Sequence, residues 1–357
     1  MSGPTVLLTG AGGSASANVL DALRLSSRGY RVIGADASAV KLHLSHADLR
    51  VVIPRPSDPA FPASLIALIA EHHIDVVHPQ PDPEVRAIGA LRDHLNAATY
   101  LPAQEALQLV ADKSKFAAAL AGAGVSVPES DVFDSLDDAG GKVRDMLGRH
   151  ERVWIRARVG AGARASLPVR TAEQALAWMA WWSSEKGMNA TDFMASEMLP
   201  GREYAYQSVW QDGELVAGQT RERVEYLYGH LTPSGQTSTP SVARTVHALE
   251  VDALAQAAVS AVDARPQGVY CVDIKENASG CPCVTEINAG RFFTTSNFFA
   301  HAGLNMPDML MRCALGERPE RRGSSPLPPD LYWIRMVDMG YALVPGDELD
   351  NWPRPHH

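Results

Sequence analysis

The sequence predicts two kinds of architecture in succession, an α/β unit followed by α+β structure. Over the first hundred residues, short apolar runs alternate with helical periodicity. Farther on, the strands come as alternating polar and apolar segments joined by tight turns. The length of 357 residues also exceeds the roughly 250 to 300 residues at which a single core stops growing, so several packed units are expected.

The first element is the apolar run from Thr5 to Thr9, ending in Gly10-Ala11-Gly12-Gly13-Ser14. A helical pattern through Val19, Leu20 and Leu23 follows, then a second apolar run over 30–35 closed by Asp36; together these make a βαβ unit. The alternation continues with a strand at 51–53, a helix at 62–72, a buried strand at 74–78 and a helix at 84–96. Asp112-Lys113-Ser114-Lys115-Phe116 then opens an Ala-rich helix stopped by Gly122, Gly124 and Pro128, placing a boundary near residue 108. A strand at 152–157, a small-residue loop at 159–164, a strand at 165–169 and a helix at 172–185 come next. Segments 193–198, 203–210 and 215–224, joined by the turns Pro200-Gly201 and Asp212-Gly213, predict an antiparallel sheet. A long polar loop at 229–241, a helix at 242–263, a hairpin at 268–287 turning at 277–280, and a helix at 306–315 complete the body; residues from 351 onward read as a tail.

Composition narrows the function. The net charge is −9 and no Lys/Arg-dense stretch occurs, so neither nucleic acid nor an anionic membrane is expected as partner. Apolar runs fall short of the roughly 18 residues of a spanning helix and no basic leader opens the chain, so a cytoplasmic protein acting on small molecules is expected. The four cysteines read as reduced thiols, since Cys281-Pro-Cys283 lacks the second pair or the histidines of a zinc site.

Two constellations carry chemistry. Gly10, Gly12 and Ala15, with Asp36 closing the next strand, form a dinucleotide fingerprint at face value, the basis for an alternative reading as an NAD-dependent oxidoreductase. However, Asp36 lies farther along than the roughly 20 positions typical of that fold, and any tight strand-to-helix turn demands glycine. The second constellation is more specific. Asp273 is on one hairpin strand, and Glu286 and Asn288, two apart on the other, face the same way. Two carboxylates and a carboxamide make a hard-oxygen pocket of the kind Mg²⁺ occupies beside ATP. Arg221 and Arg223, also two apart, could clamp a carboxylate or could pair with neighbouring acids.

Taken in order, Asp112-Lys113, Ile155-Arg156 before Gly160-Ala161-Gly162, Ser196-Glu197 before Pro200-Gly201-Arg202-Glu203-Tyr204, Asp273-Ile274-Lys275 and Glu286-Ile287-Asn288 resemble the ATP-grasp superfamily. Within it, they resemble one ATP-binding half of the carbamoyl phosphate synthetase large chain. The resemblance covers residues 1–320 and implies a Rossmann-like pre-ATP-grasp domain at 1–108, whose glycine turn does not hold the nucleotide. It further implies an ATP-grasp domain at 109–320, with a lid subdomain at about 150–195, and a C-terminal segment at 321–357.

By the same resemblance, Lys113 and Arg156 reach the ATP phosphates, and Gly160 and Gly162 belong to the loop that folds over them. Glu197, Met198 and Leu199 line the adenine pocket, and Glu203 reads the ribose. Asp273, Glu286 and Asn288 hold Mg²⁺, for which Mn²⁺ can substitute. Where the family commonly reads Glu-Ile-Asn-Pro-Arg, this chain has Glu286-Ile287-Asn288-Ala289-Gly290-Arg291; Arg291, like Arg156 and Arg223, is expected to bind phosphate or carboxylate. The implied activity is ADP-forming ligation, in which a small-molecule carboxylate is activated as an acyl phosphate and captured by an amine. Carbamoyl-phosphate-type or kinase-like phosphorylation and non-catalytic nucleotide binding stand as alternatives, and a homodimer is an admissible assembly.

Overall fold

A computed structural model describes residues 3–160, 165–232, 235, 237, 239–336 and 352–353. The first unit comprises β1 (Thr5–Thr9), α1 (Ser14–Arg24), β2 (Arg31–Asp36), α2 (Ala39–Leu42), β3 (Leu49–Val52), α3 (Phe61–His72), β4 (Val76–His78) and α4 (Asp82–Leu91). Its four strands form a parallel sheet in the order β3-β2-β1-β4. The helix expected at 84–96 is shorter than read: it breaks at Leu91 into a single 3-10 turn, Arg92–His94.

The glycine turn after β1 is filled by protein. Gly10 has φ +61, and a Cβ there would lie 2.4 Å from Pro81 Cγ, while one on Gly12 would lie 2.6 Å from the Lys41 carbonyl carbon. The Asp36 carboxylate, which a dinucleotide fold would offer to a ribose, accepts the backbone N–H groups of Gly12 and Ser38 at 2.9 and 2.8 Å.

The next elements are α5 (Gln104–Ala111), α6 (Lys113–Gly122), β5 (Ser130–Val132), α7 (Leu136–Leu147), β6 (Val153–Ala157), β7 (Leu167–Val169), α8 (Ala172–Lys186) and β8 (Phe193–Glu197). Helix α5 runs across the boundary placed at 108. Strands β5-β8-β6-β7 make a small antiparallel sheet. Its inner positions Val153, Ile155, Phe193 and Ala195 share a core with α7 and α8.

The large sheet contains β9 (Glu203–Gln211), β10 (Glu214–Tyr226), β11 (Pro240–Thr245), β12 (Gly268–Glu276), β13 (Pro282–Ala289), β14 (Gly323–Ser324) and β15 (Tyr332–Ile334). Its order is β13-β12-β9-β10-β11-β15, with β14 beside β10. Helices α9 (Leu249–Val262), α10 (Ser296–His301) and α11 (Met306–Ala314) flank it. The helix expected at 242–263 is a correction: its first residues form β11, where Val242, Ala243 and Thr245 pair with Glu225, Arg223 and Arg221 of β10. Helix α9 starts only at Leu249. One core runs from Leu7 and Ile33 of the parallel sheet through α9 to Tyr204, Val272 and Ile287 of the large sheet.

The tail is also a correction in part. Pro353 accepts a hydrogen bond from Val52 N on the open edge of β3 at 3.1 Å. Trp352 donates to Ala39 O at 2.6 Å and lies beneath the Arg50 guanidinium. No helix among the described residues is long and apolar enough to cross a membrane.

A buried carboxyl in the first unit makes stability depend on pH. Glu84 is 5% exposed, and its Oε2 has no hydrogen-bond partner. Burial, aided by nearby Asp36, pushes its carboxyl up from 4.5 to about 7. A raised folded-state value favours the protonated form, so the associated stability is complete below about pH 4.5 and is lost as pH rises through about 7. Glu84→Gln is expected to remove this loss and to stabilise the protein at pH 8 by about 3 kcal/mol. Denaturant melts of both proteins at pH 5 and pH 8 check it; an equal pH dependence in the variant would refute the assignment.

Candidate active site

The site grows out of a change in the alternation along β12. Its even positions, Tyr270, Val272 and Ile274, stay apolar and pack toward α9. Its odd positions start apolar with Val269 and Cys271, then become Asp273 and Lys275. Neighbouring strands change with it, so one half of this sheet face is core and the other half is charged. In register across the sheet, Arg221 of β10 lies opposite Ala205 of β9, Ala205 opposite Asp273, and Asp273 opposite Glu286 of β13. Directly opposed residues project to the same side, so one transverse row carries a cation, a small gap and two carboxylates.

Facing this half is the small sheet. On β6, Trp154 and Arg156 alternate with buried Val153, Ile155 and Ala157, and therefore project away from that sheet's own core. Between the two sheets is a cavity of about 610 Å³, walled by Lys113, Arg156, Glu197, Met198, Leu199, Glu203, Asp273, Glu286, Asn288 and Arg291 among others. All the expected site residues within the described range converge here; Gly162 lies outside that range.

Lys113 is held at the start of α6. Asp112 caps the helix, accepting from Ser114 N at 3.0 Å, a contribution of about 1 kcal/mol, and pairs with Arg158 at 2.9 Å. The Lys113 Nζ donates to Gly160 O at 2.5 Å and lies 3.7 Å from Glu286 Oε1. Gly160 itself has φ +108.

Arg156 is different. Its Nε has no hydrogen-bond partner, and no carboxylate among the described residues pairs with it. Burial lowers its pKa, and Glu286 offsets this only in part. A desolvated guanidinium lining a cavity without a counter-ion is a site for an anion supplied from outside.

Three other cations of the wall, Arg223, Lys275 and Arg291, are already engaged. Arg223 reaches Glu203 at 2.9 Å and Asp273 at 2.5 Å. Glu203, expected to read a ribose, also accepts from the Tyr226 hydroxyl and lies 3.5 Å from Lys275. Burial alone would raise the Glu203 carboxyl, but Arg223 and Lys275 hold it below the usual carboxylate range. Arg291 is bound by Asp82 of α4 and by the Asn288 side-chain oxygen. The residue inserted before it explains its aim: Gly290 adopts φ +82, and a Cβ there would come 2.6 Å from Val85 Cγ1. The chain thus turns against α4 and presents Arg291 to Asp82. Sequence reasoning missed Asp82; a contact spanning 209 positions leaves no local signal.

The donor set suits a hard divalent cation. Asp273 and Glu286 are cross-strand partners, and Asn288 donates to Asp273 Oδ2 at 3.1 Å. Burial, with Glu286 and Glu203 nearby, raises the Asp273 carboxyl despite Arg223. A second cation at this carboxylate pair would relieve that repulsion.

No protein-family model and no curated protein matches the chain. Solved structures do resemble it. L-amino acid ligase from Bacillus licheniformis superposes with a TM-score of 0.65 at 15% identity, covering 88% of this chain and 75% of that one. The biotin carboxylase domain of 2-oxoglutarate carboxylase from Hydrogenobacter thermophilus, solved with MgADP, ADP and bicarbonate, gives 0.70 at 14% identity, covering 93% and 74%. N5-carboxyaminoimidazole synthetase from Staphylococcus aureus gives 0.66 at 15% identity, covering 90% and 79%. With its parallel N-terminal sheet, its small antiparallel sheet and the large sheet opposite, this chain has the fold of the ATP-grasp superfamily.

Proposed function

We propose that the protein is an ADP-forming ligase that activates a small-molecule carboxylate as an acyl phosphate for capture by an amine. The observation that carries this reading is Arg156: a guanidinium without a carboxylate partner among the described residues, lining the same cavity as Asp273 and Glu286. Such a pairing of free cation and clustered carboxylates suits the terminal phosphates of ATP with their metal. The likeness to a biotin carboxylase domain and to carboxyaminoimidazole synthases and synthetases solved with ATP or ADP supports the same reading.

In this scheme Asp273, Glu286 and Asn288 hold Mg²⁺, which when bound neutralises charge on the phosphate oxygens. Lys113 and Arg156 approach the phosphates from opposite walls and stabilise the charge that spreads over the transferred group. Glu197, Met198 and Leu199 form the wall for the base, with Glu197 additionally 3.6 Å from His150 Nδ1. The carboxylate substrate attacks the terminal phosphorus, ADP leaves, and the amine displaces phosphate from the acyl group. A neutral amine needs no general base from the protein.

The test is an ADP-release screen of carboxylates with hydroxylamine as a universal nucleophile. An active carboxylate should yield a hydroxamate in step with ADP and orthophosphate. Release of AMP and pyrophosphate instead would overturn the mechanism.

A further inference from the structure

One charged group in the cavity wall has no role in the chemistry above. Arg221 is fully buried yet lines the cavity. Its Nε has no hydrogen-bond partner, and Nη1 makes only a long contact of 3.4 Å to Thr295 O. The guanidinium stacks on Phe293 and Phe299, with centroids at 4.9 and 5.4 Å. Those ring faces orient it without neutralising it. The nearest carboxylate along its row, Asp273, is committed to Arg223 and Asn288.

A second arginine compounds the excess of charge. Arg335 donates to Pro240 O at 3.0 Å and Thr294 O at 3.2 Å, leaving a buried Nη2 without a partner. Pro240 and Thr294 are themselves wall residues of the cavity. Burial pushes the Arg221 guanidinium down to about 9, and its neighbours Arg223 and Arg335 add to that shift. Among the described residues, this end of the cavity therefore carries positive charge without a carboxylate of its own.

Resting on the ligase reading, we infer that Arg221, backed by Arg335, binds a spectator carboxylate: a substrate carboxylate other than the one phosphorylated. Position separates it from the ATP phosphates. Arg221 lies two strands from Asp273 and three from Glu286 along one row, so its Cα is about 10 Å from that of the nearer metal-binding carboxylate. Lys113 contacts the Glu286 end of that row, which puts the phosphates at the opposite end. A planar, fixed guanidinium with a free edge matches a carboxylate bidentately. The substrate class that follows is a dicarboxylate, the dicarboxylic amino acids included, in place of a simple monocarboxylate.

The probes are succinate, glutarate, aspartate and glutamate, each compared with its monoamide, with MgATP and with hydroxylamine present or absent. The full chain should release ADP with at least one free acid, and its amide should be roughly 10- to 100-fold poorer in kcat/KM. Arg221→Met should raise KM for the free acid by a similar factor, abolish the preference for acid over amide, and leave KM for ATP within threefold. Arg221→Lys, which keeps the charge and is the safer variant for folding, should retain part of the preference. Equal use of acid and amide by the unaltered protein, or a rise in KM for ATP in place of the acid, would overturn the inference. So would activity confined to monocarboxylates; hydroxamate formation from these would leave the ligase reading intact. Absence of ADP-linked hydroxamate from every carboxylate would instead count against that reading itself.

Discussion

Replacing Glu286 by glutamine is expected to lower ADP release by roughly 100- to 1,000-fold, the scale seen when a preorganised electrostatic group is lost from a transition state. Glutamine keeps the volume and one oxygen, so β13 should form as before. What disappears is one of two opposed anionic ligands, together with the acid that faces the Lys113 ammonium at 3.7 Å. Asp273 would then be left as the one carboxylate of that cross-strand pair, and it is already shared with Arg223 and Asn288. Raising Mg²⁺ should recover part of the lost rate, because weakened metal binding follows mass action. The measurement is ADP formation across a Mg²⁺ titration, with circular dichroism to verify folding. Turnover within threefold of the unaltered protein at limiting Mg²⁺ would remove the metal assignment.

Arg156→Ala is expected to separate stability from activity. A side chain that forms ion pairs or hydrogen bonds within the protein usually costs stability when truncated. Among the described residues Arg156 has no such partner, and burial disfavours its charge. Its loss should leave the melting temperature unchanged or slightly higher, while kcat/KM for ATP falls by roughly 100-fold or more. Hydroxamate formation should drop in parallel. A pronounced fall in melting temperature with activity retained would identify Arg156 as a structural residue. Arg223→Ala provides the contrast: it would take the arginine away from both Glu203 and Asp273, so stability and activity should fall together.

How much of this could be read in advance depended on the range of the interaction that fixes each residue. The β1 turn, the capped start of α6 and the hairpin bearing Asp273 and Glu286 are specified within a few positions, and their sequence signals were sufficient. Strand β11 was misread because its alternation is short and leads into the Ala-rich α9, whose N-terminus has no side-chain cap to mark it. Its identity is decided by pairing with β10, across the intervening loop. Arg291 is a similar case. The extra residue in the motif was visible, but only the packing of Gly290 on Val85 shows that the arginine is turned toward Asp82. Arg221 and Arg223 looked equivalent as neighbours on one strand face. They differ because Glu203 and Asp273 come within reach of one and leave the other without a carboxylate among the described residues.

The small sheet has a mechanical property that follows from how its apolar residues are distributed. Phe133, Val143, Ile155, Met179 and Phe193 form an interior shared among β6, β8, α7 and α8, separate from the core that joins the parallel sheet to the large one. Displacing this unit as a rigid body would leave both interiors packed, so the work of opening the cleft would fall on the surfaces that line it, where Trp154, Met198 and Leu199 stand among the charged side chains. A ligand bridging Arg156 on one side to Asp273 and Glu286 on the other would act as the latch. Its departure would release the jaw without unpacking either protein core.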